Sequence, residues 1–470
     1  MHDLLSRKAD GDKLVGIVNG LKSGAVIALD GEWGTGKTTF VKMWMNQLKN
    51  NGFPILYYNA WENDINDEPL FSMLRQLNSL NKEDGLDEVF RIGAKVLVGG
   101  LMGGLVEINP AAKFVKGFIK GGAKQIENSI YDSLKESDSR SGMINNFKEA
   151  LTSYVEKVCG LEETEEETTD FKPLVYIIDD LDRCNPTFAV KVLERMKHLF
   201  AVPNVVFVLA VDKQQMAYSI NGYYGSDKFD SMEYLRKFID IDYKLPKSNN
   251  LGYIFSLISP EVLLKKEKMD ETASVVLNLL HISEYNNLSL RQIQRVFLLM
   301  RIVYPEANAL KDFDNSVFVF MAYLKVCKPY LYEKVKEQNF TVQEFYSELE
   351  SLIISMKNRF LIEDNTHTYY CTILLQVLWA YYQYLKKSTI IKPENDLFNE
   401  DGSLQLTVKK FDCDVIKKRL LQMKQEDKSF GDLYILLNEL DMLAHTKERG
   451  YKDIENTPSE NHKDDASVEI

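Results

Sequence analysis

Gly31-Glu32-Trp33-Gly34-Thr35-Gly36-Lys37-Thr38 matches the pattern G-x-x-x-x-G-K-[ST], which is the Walker A or P-loop motif. The apolar run 25–29 precedes the motif, and the segment 39–49, which has the character of a helix, follows it. Strand, glycine loop and helix in this order are the context in which the motif forms a phosphate site. The alternative is a chance glycine turn before an amphipathic helix, and the flanking strand and helix argue against it.

Each part of this loop has a chemical task in binding phosphate. Glycines let backbone N–H groups point at phosphate oxygens, and the N-terminus of the following helix adds a positive dipole. Lys37 is long enough to reach the β- and γ-phosphates, and the Thr38 hydroxyl is a ligand for Mg²⁺. We therefore predict a site for a nucleoside triphosphate with Mg²⁺, built from Gly31, Trp33, Gly34, Thr35, Gly36, Lys37, Thr38 and Thr39.

The second half of a nucleotide site is carried by Val175–Asp180, an apolar run that ends in two carboxylates. This is the Walker B pattern, in which Asp179 holds the Mg²⁺ shell and Asp180 orients or deprotonates the attacking water. Two aspartates that cap a helix or form a turn are the alternative, which the upstream P-loop argues against. Many NTPases of this kind carry Glu where Asp180 stands, so the rate of hydrolysis stays open.

Short continuous apolar runs predict further strands of a parallel sheet that is covered on both faces: Ile55–Asn59, Leu174–Ile178 and Val205–Val211. In Phe238–Leu245 apolar and charged residues alternate, which predicts an edge strand. Helical segments separate the runs, so we predict an α/β fold, a P-loop NTPase with a three-layer α/β/α parallel sheet. One whole strand lies between the two Walker strands in sequence, and an acid follows Asp179. Both features indicate the P-loop division with an added central strand and a catalytic carboxylate.

One short stretch matches a motif that would specify the base of the nucleotide. Asn81-Lys82-Glu83-Asp84 matches the N-K-x-D motif for guanine. The stretch lies before the Walker B strand and no strand leads into it, so we interpret it as a chance match. ATP is therefore predicted rather than GTP.

Two further positions are candidates for completing the site. Asp212 directly follows the strand Val205–Val211, a position from which a polar residue senses the γ-phosphate or aligns water. The alternative is that Asp212 is the N-cap of the helix that begins near Lys213. Arg291 lies four residues before Arg295 on one helix face. An arginine from a helical lid stabilises charge on the transferred phosphate, whereas a surface arginine only covers an apolar face. Both pairs of alternatives stay open.

Length, charge and cysteine usage bound the class of protein. The chain has 470 residues and a formal net charge of -12, so two or three domains are expected. The acidic balance argues against broad non-specific binding of nucleic acid. The five cysteines are scattered, without a C-x-x-C pair or a histidine at zinc spacing. Since the first residues also lack the apolar stretch of a signal peptide, we predict a cytoplasmic protein with reduced thiols.

Composition changes along the chain predict its domains: a nucleotide-binding core over 1–247, a helical lid over 248–305, an α-helical domain over 306–450 and a disordered tail over 451–470. A helical insert over 81–170 interrupts the core. It contains a glycine-rich run from Val96 to Val106, which is too short to span a bilayer. Within that run, Gly99 to Gly104 have the spacing that lets helices approach in membranes. A hairpin packed on protein is favoured, and contact with a membrane stays open.

The predicted C-terminal domain is rich in aromatic residues: Tyr369, Tyr370, Trp379, Tyr381, Tyr382 and Tyr384. Exposed aromatic rings stack on bases, but rings at helical spacing are more typical of a core or a protein interface. No cluster of His, Asp and Glu in this part indicates a nuclease or protease.

Three stretches together resemble the KAP family of P-loop NTPases. They are Gly31–Thr38 with its tryptophan, Asn59-Ala60-Trp61-Glu62, and Ile177–Pro186 with the sequence IIDDLDRCNP. The resemblance covers roughly residues 1–305. It implies a STAND-like ATPase that couples ATP binding and hydrolysis to conformational change or assembly, and bacterial members are linked to antiviral, anti-phage defence. Many members carry transmembrane helices between the Walker motifs, and the short insert here implies a soluble member.

The family pattern also implies roles for Asp182 and Arg183 beside the Walker B acids. Asp182 either orients Arg183 toward the nucleotide of a neighbouring subunit or caps the helix that begins near Thr187. The leading hypothesis is an ATPase switch that engages another copy of the chain, as a homo-oligomer, or a partner protein encoded nearby. The alternatives are a nucleic-acid-dependent remodeller and a scaffold that binds nucleotide without hydrolysing it.

Overall fold

A computed structural model describes residues 5, 7–65, 68–80, 84–96, 140–161, 171–226, 228–246, 250–257, 269–303, 314–352, 364–387, 396–399, 401, 403–408 and 413–442. The chain divides into two compact units, Met1–Asn249 and Asn250–Ile470.

The described part of the first unit contains one five-stranded sheet in which all neighbouring strands are parallel. Its strands are β1 Ala25–Asp30, β2 Ile55–Asn59, β3 Leu174–Asp179, β4 Val205–Val211 and β5 Ile241–Lys244, in the spatial order β2-β3-β4-β1-β5. The predicted parallel sheet is confirmed, with β5 at an edge. β5 begins later than the predicted run because Phe238 and Ile239 belong to a turn, in which their N–H groups donate to the carbonyls of Leu235 and Arg236.

Helices cover both faces of this sheet: α1 Lys8–Gly20, α2 Lys37–Asn50, α3 Pro69–Arg75, α4 Leu86–Lys95, α5 Arg140–Cys159, α6 Pro186–Arg195, α7 Lys213–Tyr224 and α8 Ser231–Arg236. Alternate strand residues enter two separate cores. Val175 and Val208 pack with α1 and α2 on one face, where Trp44 is fully buried. Tyr176 and Phe207 face the helices α3 to α8. The predicted three-layer α/β/α architecture is therefore confirmed.

The position of β4 brings the ends of three strands together. β4 pairs with β1 on one side and with β3 on the other. The strand added between the two Walker strands in space is therefore β4, whereas β2, which separates them in sequence, lies at the sheet edge beside β3. Since the carboxyl ends of parallel strands meet at one edge of a sheet, residues after β1, β3 and β4 converge there.

The described part of the second unit is helical: α9 Asn250–Leu257, α10 Met269–Tyr285, α11 Leu290–Val303, α12 Asn315–Cys327, α13 Pro329–Lys336, α14 Val342–Ser351, α15 Asp364–Lys387, α16 Cys413–Gln425 and α17 Leu433–Met442. α12 is its centre, with residues 316–324 all buried among α10, α11, α13, α15 and α17. A helix that is apolar all round belongs in a core. Of the aromatic residues of α15, Tyr369 is 37% exposed and the others are buried, which agrees with the prediction of a core.

The insert is helical where the structure describes it, in α4 and α5. Gly93 of α4 lets the two helices approach, since a Cβ there would lie 2.8 Å from a Leu74 methyl and 3.3 Å from the Phe147 ring of α5. The predicted Gly99–Gly104 contact and the 451–470 tail lie outside the described residues. None of the described helices is both long and apolar enough to cross a membrane.

Candidate nucleotide-binding site

The phosphate loop connects β1 to α2, and its backbone requires glycine. Gly34 and Gly36 have φ angles of 81° and 85°, in the left-handed region that side chains disfavour. Gly36 directly precedes the first turn of α2. The Thr35 hydroxyl donates to the Glu32 carbonyl at 2.7 Å, which closes the loop on itself. The sequence motif therefore forms the compact glycine turn at a helix N-terminus that binds anions.

Lys37 lies inside this loop and is 6% exposed. Its Nζ donates to the carbonyl oxygens of Gly31 and Glu32. Burial lowers the pKa of Lys37, and the carboxylates of Asp182, Asp212 and Asp179 oppose that shift. Those carboxylates come from the ends of β3 and β4. The ammonium group is therefore placed at the point where the three strand ends converge.

Asp179, the last residue of β3, meets the first turn of α2. Its carboxylate forms a hydrogen bond with the Thr38 side chain and accepts another from the Tyr57 hydroxyl at 3.0 Å. Burial raises the pKa of Asp179, and these hydrogen bonds oppose that shift. A carboxylate and a hydroxyl in contact are the hard oxygen ligands that Mg²⁺ takes from a protein, with the rest of its shell supplied by phosphate and water. The residues present therefore fit a nucleotide-bound magnesium ion.

Asp180 has an unusual backbone and a resident counter-ion. Its φ angle is 57°, a left-handed conformation that Asp and Asn tolerate better than other side chains. Both carboxylate oxygens contact the Arg183 guanidinium, at 3.0 and 3.2 Å. Burial and the charge of Asp179 raise the pKa of Asp180, while Arg183 lowers it. Arg183 therefore favours the ionised form of the residue predicted to be the base.

Asp182 does not cap the helix that follows it, and its role in orienting Arg183 toward a neighbouring subunit stays a prediction. Its Oδ2 accepts a hydrogen bond from the Trp33 indole N–H at 2.6 Å and another from the backbone N–H of Asp212 at 2.9 Å. α6 is capped by Asn185, which accepts from the Thr187 N–H. The Arg183 side chain forms its salt bridge with Asp180.

Two tryptophans of the motifs contact the same short turn after β3. The Trp33 indole N–H donates to Asp182. The Arg183 guanidinium lies over the face of the Trp61 ring, 5.8 Å from the ring centroid. Asn59 shapes the turn that carries Trp61, because its side-chain oxygen accepts the Trp61 N–H at 3.1 Å. The three stretches quoted from the sequence therefore meet at the turn after β3.

The remaining predicted residues are placed as follows. Asp212 caps α7, where its side chain accepts from the N–H groups of Gln214 and Gln215. The alternative role as an N-cap is therefore real, and the role as a phosphate sensor stays a prediction. Thr39 is exposed in the first turn of α2. Arg291 and Arg295 are exposed on α11 of the second unit, and the role of Arg291 stays a prediction.

Two contributors were missed by the sequence analysis. Tyr57 reaches Asp179 because β2 pairs in register with β3, with Asn59 opposite Asp179. The available signal was that alternate residues of β2 face opposite sides of the sheet, which places Tyr57 on the same side as Asn59. Arg7 is 2% exposed and donates to the carbonyls of Thr35, at 2.9 Å, and Pro246, at 2.7 Å. No local pattern marks a single arginine before α1.

Comparisons with known proteins agree with this geometry at the level of the family. No curated protein matches the chain in sequence. Among solved structures, the Aeropyrum pernix ORC2 protein in its ADPNP–ADP complexes is similar at 13% identity and a TM-score of 0.32, over 93% of this chain and 94% of that chain. A DNA replication initiation factor is similar at 12% identity and a TM-score of 0.30, over 95% and 96%. Similarities this weak carry no argument about function.

A model of the KAP family P-loop domain matches residues 12–307, which is more than half of the chain. The matched range contains the phosphate loop, the acids after β3 and the exposed arginines of α11. The resemblance drawn from the sequence is therefore confirmed, and the chain belongs to the KAP family of P-loop NTPases.

Proposed function

We propose that this protein is a magnesium-dependent ATPase that acts as a conformational or assembly switch in bacterial antiviral, anti-phage defence. The observation that carries the proposal is that Lys37 of the phosphate loop and the two carboxylates at the end of β3, Asp179 and Asp180, are all buried at one site. A site that only held phosphate would not need a second carboxylate beside the first. Membership in the KAP family supports the defence role.

The residues divide the chemical work among them. Bound ATP with Mg²⁺ supplies the phosphoanhydride bond and the charge that polarises it. Lys37 and the loop N–H groups would bind the phosphates, and Thr38 and Asp179 would hold the metal ion. Asp180 accepts a proton from the attacking water, a role that contributes about 10²- to 10⁴-fold to rate in other enzymes.

We propose that the second unit is the part of the protein whose conformation changes with nucleotide. Nucleotide changes the conformation of a protein only when it binds one state better than another. The second unit, Asn250–Ile470, is helical in its described part, and Arg291 on its helix α11 is our candidate for stabilising the terminal phosphate. We propose that ATP binding rearranges this unit, which then engages a second copy of the chain or a partner protein encoded nearby.

The proposal is tested by ATPase assays on the purified full chain, with its oligomeric state followed by light scattering as nucleotide is added. We expect magnesium-dependent turnover and a change of assembly or shape with ATP. Turnover that requires DNA or RNA and falls steeply with salt would indicate a nucleic-acid-dependent remodeller instead. Tight nucleotide binding without turnover would indicate a scaffold. Either result contradicts the switch.

Arg183→Met is expected to move the acidic limb of the ATPase pH profile to higher pH. Hydrolysis requires ionised Asp180, whose pKa is raised by burial and lowered by Arg183. Loss of the cation raises that pKa further, so a larger share of Asp180 is protonated at a given pH and the rate falls earlier on acidification. The measurement is kcat as a function of pH.

Arg236→Met is the matched control, because Arg236 lies on α8, has a 69% exposed side chain and pairs only with Glu233 among the described contacts. An acidic limb that stays in place in Arg183→Met, or moves to lower pH, would contradict the assignment of Asp180 as the base.

A further inference from the structure

One oxygen of Asp182 joins three parts of the nucleotide site. Asp182 lies in the turn after β3, and its Oδ2 accepts from Trp33 in the phosphate loop and from the backbone N–H of Asp212 at the end of β4. The three elements lie far apart in sequence. Motion of the loop or of the β4 tip must therefore stretch or break a hydrogen bond at the same atom.

Local folding does not account for Asp182. The residue is 4% exposed, and its Oδ1 has no hydrogen-bond partner among the residues that the structure describes. Burying a carboxylate with one unbonded oxygen costs free energy, which a neutral side chain would avoid. α6 has its own cap in Asn185. We therefore explain the burial of Asp182 by its hydrogen bonds to Trp33 and to the backbone of Asp212, and not by a role in its own turn.

We propose that Asp182 is a positioning residue that holds the phosphate loop and the tip of β4 in one arrangement, and thereby sets the preference of the site for a nucleoside triphosphate over a diphosphate. The inference deepens the proposed function and rests on it.

The physical argument concerns the third phosphate. The loop N–H groups and the α2 N-terminus bind a diphosphate without help from other strands. Contacts with a terminal phosphate come from Lys37 and from groups outside the loop, and the tip of β4, which lies between the ends of β1 and β3, is placed to supply one of them. Asp182 fixes that tip relative to the loop.

The test is isothermal titration calorimetry of the full chain with Mg²⁺ and either ADP or a non-hydrolysable ATP analogue. Asp182→Ala is expected to reduce the preference for the triphosphate about tenfold, which corresponds to one hydrogen bond at the weak end of the range for charged groups. Asp182→Asn keeps an acceptor oxygen without the charge and is expected to restore the preference to within about twofold. Trp33→Phe removes only the loop donor and should lower the preference as well.

A double-mutant cycle separates a link from general damage to the site. If one oxygen couples the loop to β4, Trp33→Phe adds little in the Asp182→Ala background, because the shared bond is already lost. Trp61→Phe is the matched control, since Trp61 contacts Arg183 rather than Asp182. Its effect should combine additively with Asp182→Ala. Thermal unfolding of each variant measures stability separately from the preference.

Several results would overturn the inference: an unchanged preference in Asp182→Ala, a defect in Asp182→Asn equal to that of Ala, additive effects of Asp182→Ala and Trp33→Phe, or a wild-type protein with equal affinity for both nucleotides. Failure of Asp182→Ala to fold leaves Asp182→Asn and Trp33→Phe as the deciding variants. Absence of turnover contradicts the ATPase proposal alone, because the affinity ratio is measured without hydrolysis.

Discussion

Lys37→Ala is expected to weaken the binding of ATP by about 100-fold, since the ammonium group provides charge-assisted hydrogen bonds worth about 1.5–3 kcal/mol each. The side chain is buried inside the glycine loop, where its Nζ already contacts the loop carbonyls of Gly31 and Glu32. No other described cation donates to those carbonyls. The measurement is the dissociation constant for ATP with Mg²⁺ by calorimetry.

Lys42→Ala is the control for this experiment. Lys42 lies on the same helix, α2, but its side chain is exposed, so its removal tests the loss of one positive charge from the helix without touching the loop. We expect wild-type affinity in this variant. Equal affinity of Lys37→Ala and wild type for ATP would exclude the loop as the phosphate site.

Asp180→Asn is expected to lower kcat by about 10²- to 10⁴-fold, the range for removal of a general base, while ATP remains bound. The change is isosteric, and Asn tolerates the left-handed backbone of this position, so the fold should be retained. The measurements are single-turnover hydrolysis and, separately, ATP affinity. A rate near that of wild type would remove Asp180 from the chemical step.

Two further variants control for the effect of Asp180→Asn. Asp230→Asn makes the same chemical change at an exposed helix cap, where Asn is an equally good cap, and should leave turnover intact. Asp180→Ala should lose rate and also stability, by about 1 kcal/mol, because alanine keeps the Cβ that disfavours a φ of 57° but lacks the polar side chain with which Asp tolerates it. A normal thermal stability of Asp180→Ala would contradict the strain argument.

Much of the nucleotide-binding unit could be predicted from sequence because its signals are local. A buried parallel strand must be apolar on both faces, so β3 and β4 appear as continuous apolar runs. A glycine loop before a helix is likewise a short-range pattern. For the same reason the sequence alone predicts Lys37 and Asp179 as residues of the site.

The contacts between motifs could not be predicted in this way. The spatial order of the strands depends on pairing between distant segments, so the role of β4 as the inserted strand was not visible in the chain order. Asp182 and Arg183 are adjacent in sequence, yet one bonds to Trp33 and the other to Asp180. Which neighbour takes which partner is decided by the geometry of the turn. Arg7 is a further case, since its two partners, Thr35 and Pro246, are close in space but far apart in sequence.

The placement of the tryptophans gives the protein an optical property. The chain has four tryptophans, of which Trp44 and Trp379 are buried, whereas Trp33 and Trp61 are 44% and 54% exposed. Both exposed indoles contact the turn beside Asp180. A water-soluble quencher of indole emission therefore reaches the two rings at the nucleotide site in preference to the two in the cores. The unlabelled protein carries its own spectroscopic reporter, and its quenchable emission should follow the state of the site in real time.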